Sequence, residues 1–213
     1  MSAAQATQAD SGAVWELPAR LGLAADVERL NEVIATWTQS TDAEVRAMIE
    51  RQLAGRAKGY RPATVFACYR ATAKGSPPEQ IVRSAAAIEL LHNVALIVDD
   101  ILDRSRYRRG ILSLHCRFGF LPALMTSGYI GFAASSLVAD DSYSGQLLSE
   151  LMQRLSVAEC MQWRLRRQPL GVEDWRTIAG EDTGSMFEIC ARLGSRDGRL
   201  AKFGRLLGLL YHG

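Results

Sequence analysis

The sequence has few cysteines and does not arrange them as a cross-linked or zinc-binding protein would. Its 213 residues include four, at positions 68, 116, 160 and 190, and no two of them form a CxxC pair. This spacing argues against both a disulfide framework and a zinc site. The N-terminal residues also lack the basic start and the apolar run of a signal peptide. We therefore expect a protein of the cytoplasm.

Lysine is scarce as well, and the charge is nearly balanced. Lys58, Lys74 and Lys202 are the only lysines among 25 basic residues, so arginine carries the remaining positive charge. Arginine offers a planar fork that suits phosphate and carboxylate oxygens, although an arginine bias also follows from GC-rich coding. The formal net charge of +2 is too small to predict nucleic-acid binding. No apolar run reaches the length needed to cross a bilayer, so we predict no integral membrane segment.

Signals for β-strands are missing, whereas apolar residues recur at helical spacing from about residue 24 onward. The pattern predicts a central, almost wholly apolar helix over 77–103, with Ser76 as its N-cap. Further helices are predicted over 121–139, 144–168, 173–193 and 197–211. We therefore predict an all-α fold, an antiparallel helical bundle. Residues 1–22 would form a flexible lead-in, and residues 23–213 a single domain.

Three carboxylates crowd the last turn of the predicted central helix. Asp99 and Asp103 are four residues apart and share one helix face, and Asp100 lies one step round. Like charges at this spacing repel, and the helix macrodipole disfavours negative charge at a C-terminal end. A hard cation such as Mg²⁺ would account for the cluster, because it takes oxygen ligands and is shared between carboxylates and substrate phosphates.

The arginines that follow support the same interpretation. Arg104, Arg106, Arg108 and Arg109 place bidentate phosphate ligands directly beside the acidic turn. Together the two groups indicate a site for a magnesium diphosphate. The alternative is a solvated acidic helix end whose charge the arginines balance, and the motif by itself leaves that alternative open.

The segment LLHNVALIVDDILDRSRYRRGILSLHCRFG, residues 90–119, resembles the first aspartate-rich region of the trans-isoprenyl diphosphate synthases, the family of farnesyl and geranylgeranyl diphosphate synthases. Besides the aspartates, it includes His92, Arg108-Arg109-Gly110, His115 and Phe118-Gly119. Weaker similarities lie in KGYRP at 58–62, ECMQ at 159–162, TGSMF at 183–187 and GRLLG at 204–208. The resemblance therefore covers roughly residues 24–213.

The resemblance implies a Mg²⁺-dependent prenyltransferase with a helical isoprenoid synthase fold, acting as a homodimer. It would condense isopentenyl diphosphate with an allylic diphosphate to give a longer linear isoprenyl diphosphate. Asp99 and Asp103, supported by Asp100, would hold Mg²⁺ against the allylic diphosphate, and Arg108 would contact the same diphosphate.

The resemblance also implies a second group of substrate-binding residues. Those that would hold isopentenyl diphosphate are Lys58, Arg61, His92 and Arg109. Gln162 and Thr183 would lie near the developing carbocation. Val94 and Ala95 precede the first aspartate and are small, which implies a deep pocket and a product of about twenty carbons or more. We accordingly expect Ala95→Phe to shorten the product.

Several positions depart from the family pattern. Gly59 replaces a basic residue, Ser127-Gly128 replaces a Gly-Asp pair, and Asp182 stands where a lysine is expected. A carboxylate at that last position would repel a diphosphate. The second aspartate-rich motif is expected just beyond Gly213, so we expect the C-terminal part of the domain to be missing.

These departures keep two alternatives open. One is a divergent terpene-type enzyme that ionises an allylic diphosphate but cyclises it or joins it unusually. The other is a non-catalytic partner subunit of an active synthase. The presence of the first aspartate motif and of Arg108 and Arg109 favours the prenyltransferase over the partner subunit. Against the terpene-type enzyme, the sequence has no Asn-Asp-x-x-Ser-x-x-x-Glu motif of the terpene cyclases.

Overall fold

The computed structural model describes residues 16–54 and 59–212, and within these ranges the chain is almost wholly helical. The described residues form eleven α-helices, which in chain order are α1 Glu16–Arg20, α2 Ala24–Ser40, α3 Ala43–Leu53, α4 Tyr60–Thr72, α5 Glu79–Leu102, α6 Leu114–Phe118, α7 Phe120–Leu137, α8 Ser142–Leu165, α9 Val172–Ala179, α10 Ser185–Ser195 and α11 Ala201–His212. A π-helical turn, Gly180–Gly184, joins α9 to α10. The prediction of an all-α helical bundle is confirmed.

Helix α5 is the centre of the bundle. It contacts α2, α4, α7, α8 and α10, and most of its side chains are buried, because its sequence is apolar on nearly all sides. It begins two residues later and ends one residue earlier than the predicted 77–103. The predicted N-cap, Ser76, was wrong. The cap is Pro78, whose carbonyl accepts from Ile81 N at 2.9 Å and whose φ of −66° already suits a helix start.

Two further differences from the predicted elements shape the site. Tyr107–Arg108 and Ile111–Leu112 form a small antiparallel hairpin, β1 and β2, whose turn holds Arg109 and Gly110 at positive φ. The single helix predicted over 173–193 is instead divided by the π-turn. Short strands and one-turn bulges leave no periodic pattern long enough to detect in a sequence.

Part of the predicted flexible lead-in is helical. Residues 16–20 of the predicted lead-in form α1, which contacts α4 and buries Pro18. The aspartates Asp140 and Asp141 lie in the turn before α8, where Asp141 caps the helix by accepting from Ser144 N.

Two helices are long and apolar enough to cross a membrane by length and composition alone, although the sequence analysis found no such run. They are α5, whose most apolar stretch is 78% buried, and α7, whose most apolar stretch is 28% buried. Helix α5 is buried as a core helix is. Most of the apolar stretch of α7, in contrast, is exposed.

Candidate active site

Helix α5 carries the acidic turn from the core to the surface. One carboxylate oxygen of Asp99, Oδ1, is buried and accepts a hydrogen bond from none of the described residues. Asp103 is the C-cap of the helix, and its N–H donates to the Asp99 carbonyl at 2.8 Å. Because a buried oxygen without a partner costs free energy, the arrangement favours a ligand at Asp99 over a purely structural role.

Asp100 is directed away from this pair. Its side chain is 2% exposed and accepts from Arg108 Nη2 at 2.6 Å and Nε at 2.8 Å. The hairpin causes this, because it brings strand β1 back against the last turn of α5. The structure therefore separates the three predicted metal ligands into the pair Asp99 and Asp103 and a buried carboxylate that positions Arg108.

A cavity of about 270 Å³ opens beside Asp99 and Asp103 and is mostly polar. It lies between the end of α5, the end of α8 and the π-turn. Its lining residues are Asp99, Leu102, Asp103, Glu159, Gln162, Trp163, Arg166 and Asp182. We name it the acidic cavity, since four of these residues are carboxylic acids.

The carboxylates around the acidic cavity disfavour one another's ionisation. The pKa of Asp99 is raised from 3.8 to about 7, chiefly by burial and then by the carboxylates of Glu159 and Asp182. Burial also raises the pKa of Glu159, with Asp182 and Asp103 adding to the effect and a side-chain hydrogen bond with Asp99 opposing it. A cation between these groups would favour their ionised forms, so the cavity is electrostatically suited to bind one.

Gln162 and Thr183, both predicted site residues, lie at this cavity or next to it. Gln162 lines it and donates from Nε2 to Glu159 Oε1 at 3.2 Å. Thr183 lies in the π-turn, is buried, and donates to the adjacent Asp182 Oδ2 at 3.1 Å. His212 Nδ1 lies 2.9 Å from Thr183 Oγ1, so the C-terminal end of α11 closes this side of the site.

A second polar cluster lies deeper in the bundle, about 10 Å or two helical turns along α5 from Asp99. His92 is buried, and its Nε2 lies 3.0 Å from Arg61 Nη1. The pKa of His92 is held well below 6.5 by burial and by the positive charges of Arg61, Arg109 and Arg108. The ring is therefore neutral, and Nε2 accepts the hydrogen bond from Arg61.

Glu89 completes this cluster. We name the cluster the basic pocket, and it consists of Arg61, Glu89, His92 and Arg109. Glu89 is buried, and the desolvation raises its pKa while Arg61 and Arg109 lower it. Lys58, also predicted to bind substrate here, lies outside the described residues. Gly59 follows it at φ 65°, so a left-handed backbone explains glycine where the family pattern has a basic residue.

An apolar cavity of about 580 Å³ runs between α5, α7 and α8. Val94 and Val98 line it from α5, and Gly131 and Gly145 line it from the other two helices. A Cβ at Gly145 would meet nothing within 4 Å, so the cavity has room at that wall. Val94 is one of the two positions predicted to limit product length, but Ala95 does not line the cavity.

Several residues of these sites were not predicted, among them Glu89, Glu159 and Arg166. Glu159 lies one helical turn before Gln162, and Glu89 one turn before His92, so helical spacing from a predicted residue could have found both. Arg166 lies one turn after Gln162 within the helix predicted over 144–168, so the same spacing could have found it, although it is the C-cap of α8 in the structure.

The donor atoms suit Mg²⁺ better than a metal that needs a protein cage. In residues 16–54 and 59–212, no three His, Cys, Asp or Glu side chains converge closely enough to hold a metal by themselves. Mg²⁺ does not require that, because it keeps several waters and shares one or two carboxylates with substrate phosphates. The unpartnered Asp99 oxygen and the all-oxygen donor set of the acidic cavity therefore fit this ion.

The fold is that of the isoprenoid synthases. A polyprenyl synthase from Caulobacter crescentus, complexed with calcium and isoprenyl diphosphate, superposes with a TM-score of 0.81 at 24% identity, over 89% of this chain and 59% of that one. The sequence model of the family described as polyprenyl synthetase matches residues 42–211. The chain belongs to the polyprenyl synthetase family.

Some relatives carry the names of isoprenyl diphosphate synthases, and others the names of terpene synthases, such as the dolasta-1(15),8-diene synthase of Colletotrichum gloeosporioides, 29% identical over 55% of this chain and 16% of that protein. The chain is 29% identical to the geranylgeranyl pyrophosphate synthase dpasD of Apiospora sacchari over 143 residues, which are 63% of this chain and 43% of that protein. It is 25% identical to the geranylfarnesyl diphosphate synthase of Methanosarcina mazei over 181 residues, 80% of this chain and 60% of that protein. The chain thus spans about half the length of these two diphosphate synthases.

Proposed function

We propose that this chain belongs to a prenyltransferase that condenses isopentenyl diphosphate with an allylic diphosphate. The observation that carries this proposal is the arrangement along α5. An acidic cavity, a basic pocket and an apolar cavity adjoin the same helix. They would hold, in that order, the allylic diphosphate, the diphosphate of isopentenyl diphosphate and the prenyl chain. The names of the isoprenyl diphosphate synthases among the relatives support the same reaction class.

The acidic cavity is the proposed site of the allylic diphosphate with Mg²⁺. Asp99 and Asp103 would hold the ion, and Asp100 would act through its ion pair with Arg108. When bound, the ion supplies charge stabilisation for the diphosphate as it leaves the allylic carbon. Gln162, which lines the cavity, and Thr183 beside it would face the positive charge that remains on the hydrocarbon with their side-chain oxygens.

The basic pocket is the proposed site of isopentenyl diphosphate. Arg61 and Arg109 supply bidentate donors for the phosphate oxygens, and neutral His92 fixes the Arg61 guanidinium. Lys58 stays a predicted ligand. The prenyl chain would grow into the apolar cavity, whose volume and small residues favour a product of about twenty carbons.

We also propose that the enzyme is a homodimer of the cytoplasm. Helix α7 exposes a row of large apolar side chains one turn apart, including Leu121, Met125 and Phe132 at 62%, 57% and 79%. A second copy of the chain would remove this row from water. The four free cysteines fit a reducing compartment.

One observation keeps the partner-subunit alternative in view, namely the carboxylate of Asp182 in the acidic cavity. A synthase that needs a cation at this position would be weakened by it, whereas a partner subunit would tolerate it. A divergent terpene-type enzyme would show itself by cyclic or irregularly joined products in the same assay.

The test is product analysis on the full-length protein, with Asp103→Asn compared against Asp140→Asn as a matched exposed control. With Mg²⁺, isopentenyl diphosphate and an allylic diphosphate, mass spectrometry should show a linear prenyl diphosphate. Asp103→Asn should reduce its formation about 100-fold or more, because a metal-ligand oxygen is lost, and Asp140→Asn should not. No product from the native protein, despite tight binding to an active synthase, would establish the partner subunit instead.

A further inference from the structure

The acidic cavity contains one cation among its lining residues, Arg166. We propose that Arg166 binds the diphosphate in this cavity and so replaces the lysine that the family pattern places at position 182. The inference rests on the proposed function, because it assigns a residue to the diphosphate of that same site. It concerns this chain in particular, since it follows from the carboxylate at Asp182.

The conformation of Arg166 presents its guanidinium for binding. The residue is the C-cap of α8, with φ −57° and ψ 139°, so its side chain leaves the helix at the cavity edge. The guanidinium carbon lies 4.3 Å from the centre of the Trp163 ring. Stacking on an aromatic face restricts a flexible side chain and leaves its in-plane N–H groups available.

Other arginines near the site are engaged in ion pairs, whereas Arg166 has no such partner among the described residues. Arg108 is paired with Asp100, and Arg205 with Glu181 and Glu188. Within the described residues, no carboxylate lies in ion-pair range of Arg166, although four line the same cavity. An arginine present only to balance those charges would be expected to contact one of them. Its donors are instead available to a ligand.

The carboxylate of Asp182 is held by its own neighbours. Asp182 Oδ2 accepts from Thr183 Oγ1 at 3.1 Å and lies 3.8 Å from His212 Nδ1. These contacts hold the carboxylate on the π-turn, where its charge also acts on Glu159 of α8. A diphosphate is therefore expected to lie away from both carboxylates, between the ion at Asp99 and Asp103 and the guanidinium of Arg166.

The experiment is calorimetric titration of inorganic pyrophosphate into the full-length protein, with and without Mg²⁺. The component that requires Mg²⁺ reports the acidic cavity, because binding in the basic pocket needs no metal. Arg166→Gln should weaken this component about tenfold or more, the loss expected for a charge-assisted contact. Arg164→Gln, a change of the same kind at an exposed position two residues earlier in the same segment, should leave it unchanged.

A second variant tests whether a cation at position 182 can take the place of the one at position 166. In the Arg166→Gln background, Asp182→Lys should restore the Mg²⁺-dependent affinity to within about threefold of the native value, because it returns a cation to the cavity. Thermal unfolding of each variant confirms that it is folded.

The outcomes separate the two proposals. Native protein without any Mg²⁺-dependent binding would overturn the proposed function and this inference with it. Mg²⁺-dependent binding that Asp103→Asn abolishes and Arg166→Gln leaves intact would overturn the inference alone and leave the proposed function standing.

Discussion

Asp141 shows how a single carboxylate can hold two helices together. It caps α8 and accepts two hydrogen bonds from Arg196, at 2.7 Å from Nη1 and 2.9 Å from Nη2. Ser144 Oγ donates to it at 2.6 Å. Its side chain is 4% exposed, so these bonds are shielded from water. They fix the start of α8 against the end of α10, where the apolar cavity also has its edge.

Replacing Asp141 by Asn should lower the free energy of unfolding at pH 7 by about 2 kcal/mol, because Arg196 would lose a buried charged partner. The hydrogen bonds from Arg196 and Ser144 hold the pKa of Asp141 far below 3.8. A depressed carboxyl pKa stabilises the fold above the unfolded value, and that contribution is lost as the pH falls below about 4.

Denaturant unfolding from pH 7 to pH 3 provides the measurement. The difference in the free energy of unfolding between the native and the Asp141→Asn protein should be constant above about pH 5 and should decrease below it. Asp140→Asn serves as the control, since Asp140 is exposed. A difference that stays constant down to pH 3 would contradict the assigned role.

At the scale of elements, α5 was predictable and its surroundings were not. Its bounds were predicted to within two residues, because an apolar run of that length has no other packed state in a helical protein. The direction of Asp100 was unpredictable, because it depends on a hairpin of two-residue strands. The acidic turn was predicted from spacing alone. Spacing also relates Glu159 and Arg166 to Gln162, but that their face of α8 meets the end of α5 follows only from helix packing.

The apolar cavity gives the element-scale prediction. Val94→Phe should shorten the main product by at least one five-carbon unit, because the ring would occupy space between α5 and α7. Ala95→Phe should leave the product length unchanged, contrary to the expectation from the sequence, since Ala95 does not line the cavity.

Chromatography of the dephosphorylated products measures both variants. The added bulk at Val94 can cost about 1–3 kcal/mol of stability, so thermal unfolding is measured alongside. Shorter products from Ala95→Phe rather than Val94→Phe would show that the chain grows along another face of α5.

At the scale of the whole molecule, α7 divides into two faces. One packs on α5 and α3 through small buried residues such as Ala123 and Ala134, and the other presents large apolar side chains to solvent. A helix this apolar is unusual on the surface of an isolated chain. The apolar cavity also opens beside it, with Phe132 belonging to both. Assembly and product length would then depend on the same helix.

Met125→Asp tests the proposed dimer, because it places a charge in the middle of the exposed row. Light scattering after gel filtration should give twice the chain mass for the native protein and a monomer for the variant. Val157→Asp, at an exposed apolar position of similar exposure on α8, should stay dimeric. A native protein that is monomeric at micromolar concentration would contradict the proposal.

The π-turn has a consequence for how the residues on this side of the acidic cavity can change. A π-turn holds one residue more than the α-helical path it replaces, which shifts the phase of everything after it by about 100°. Helices α9 and α10 can therefore each keep an apolar stripe on a different neighbour, while Asp182 between them lines the cavity. The phase slip frees this position from packing, so its chemistry can change without a change in the bundle.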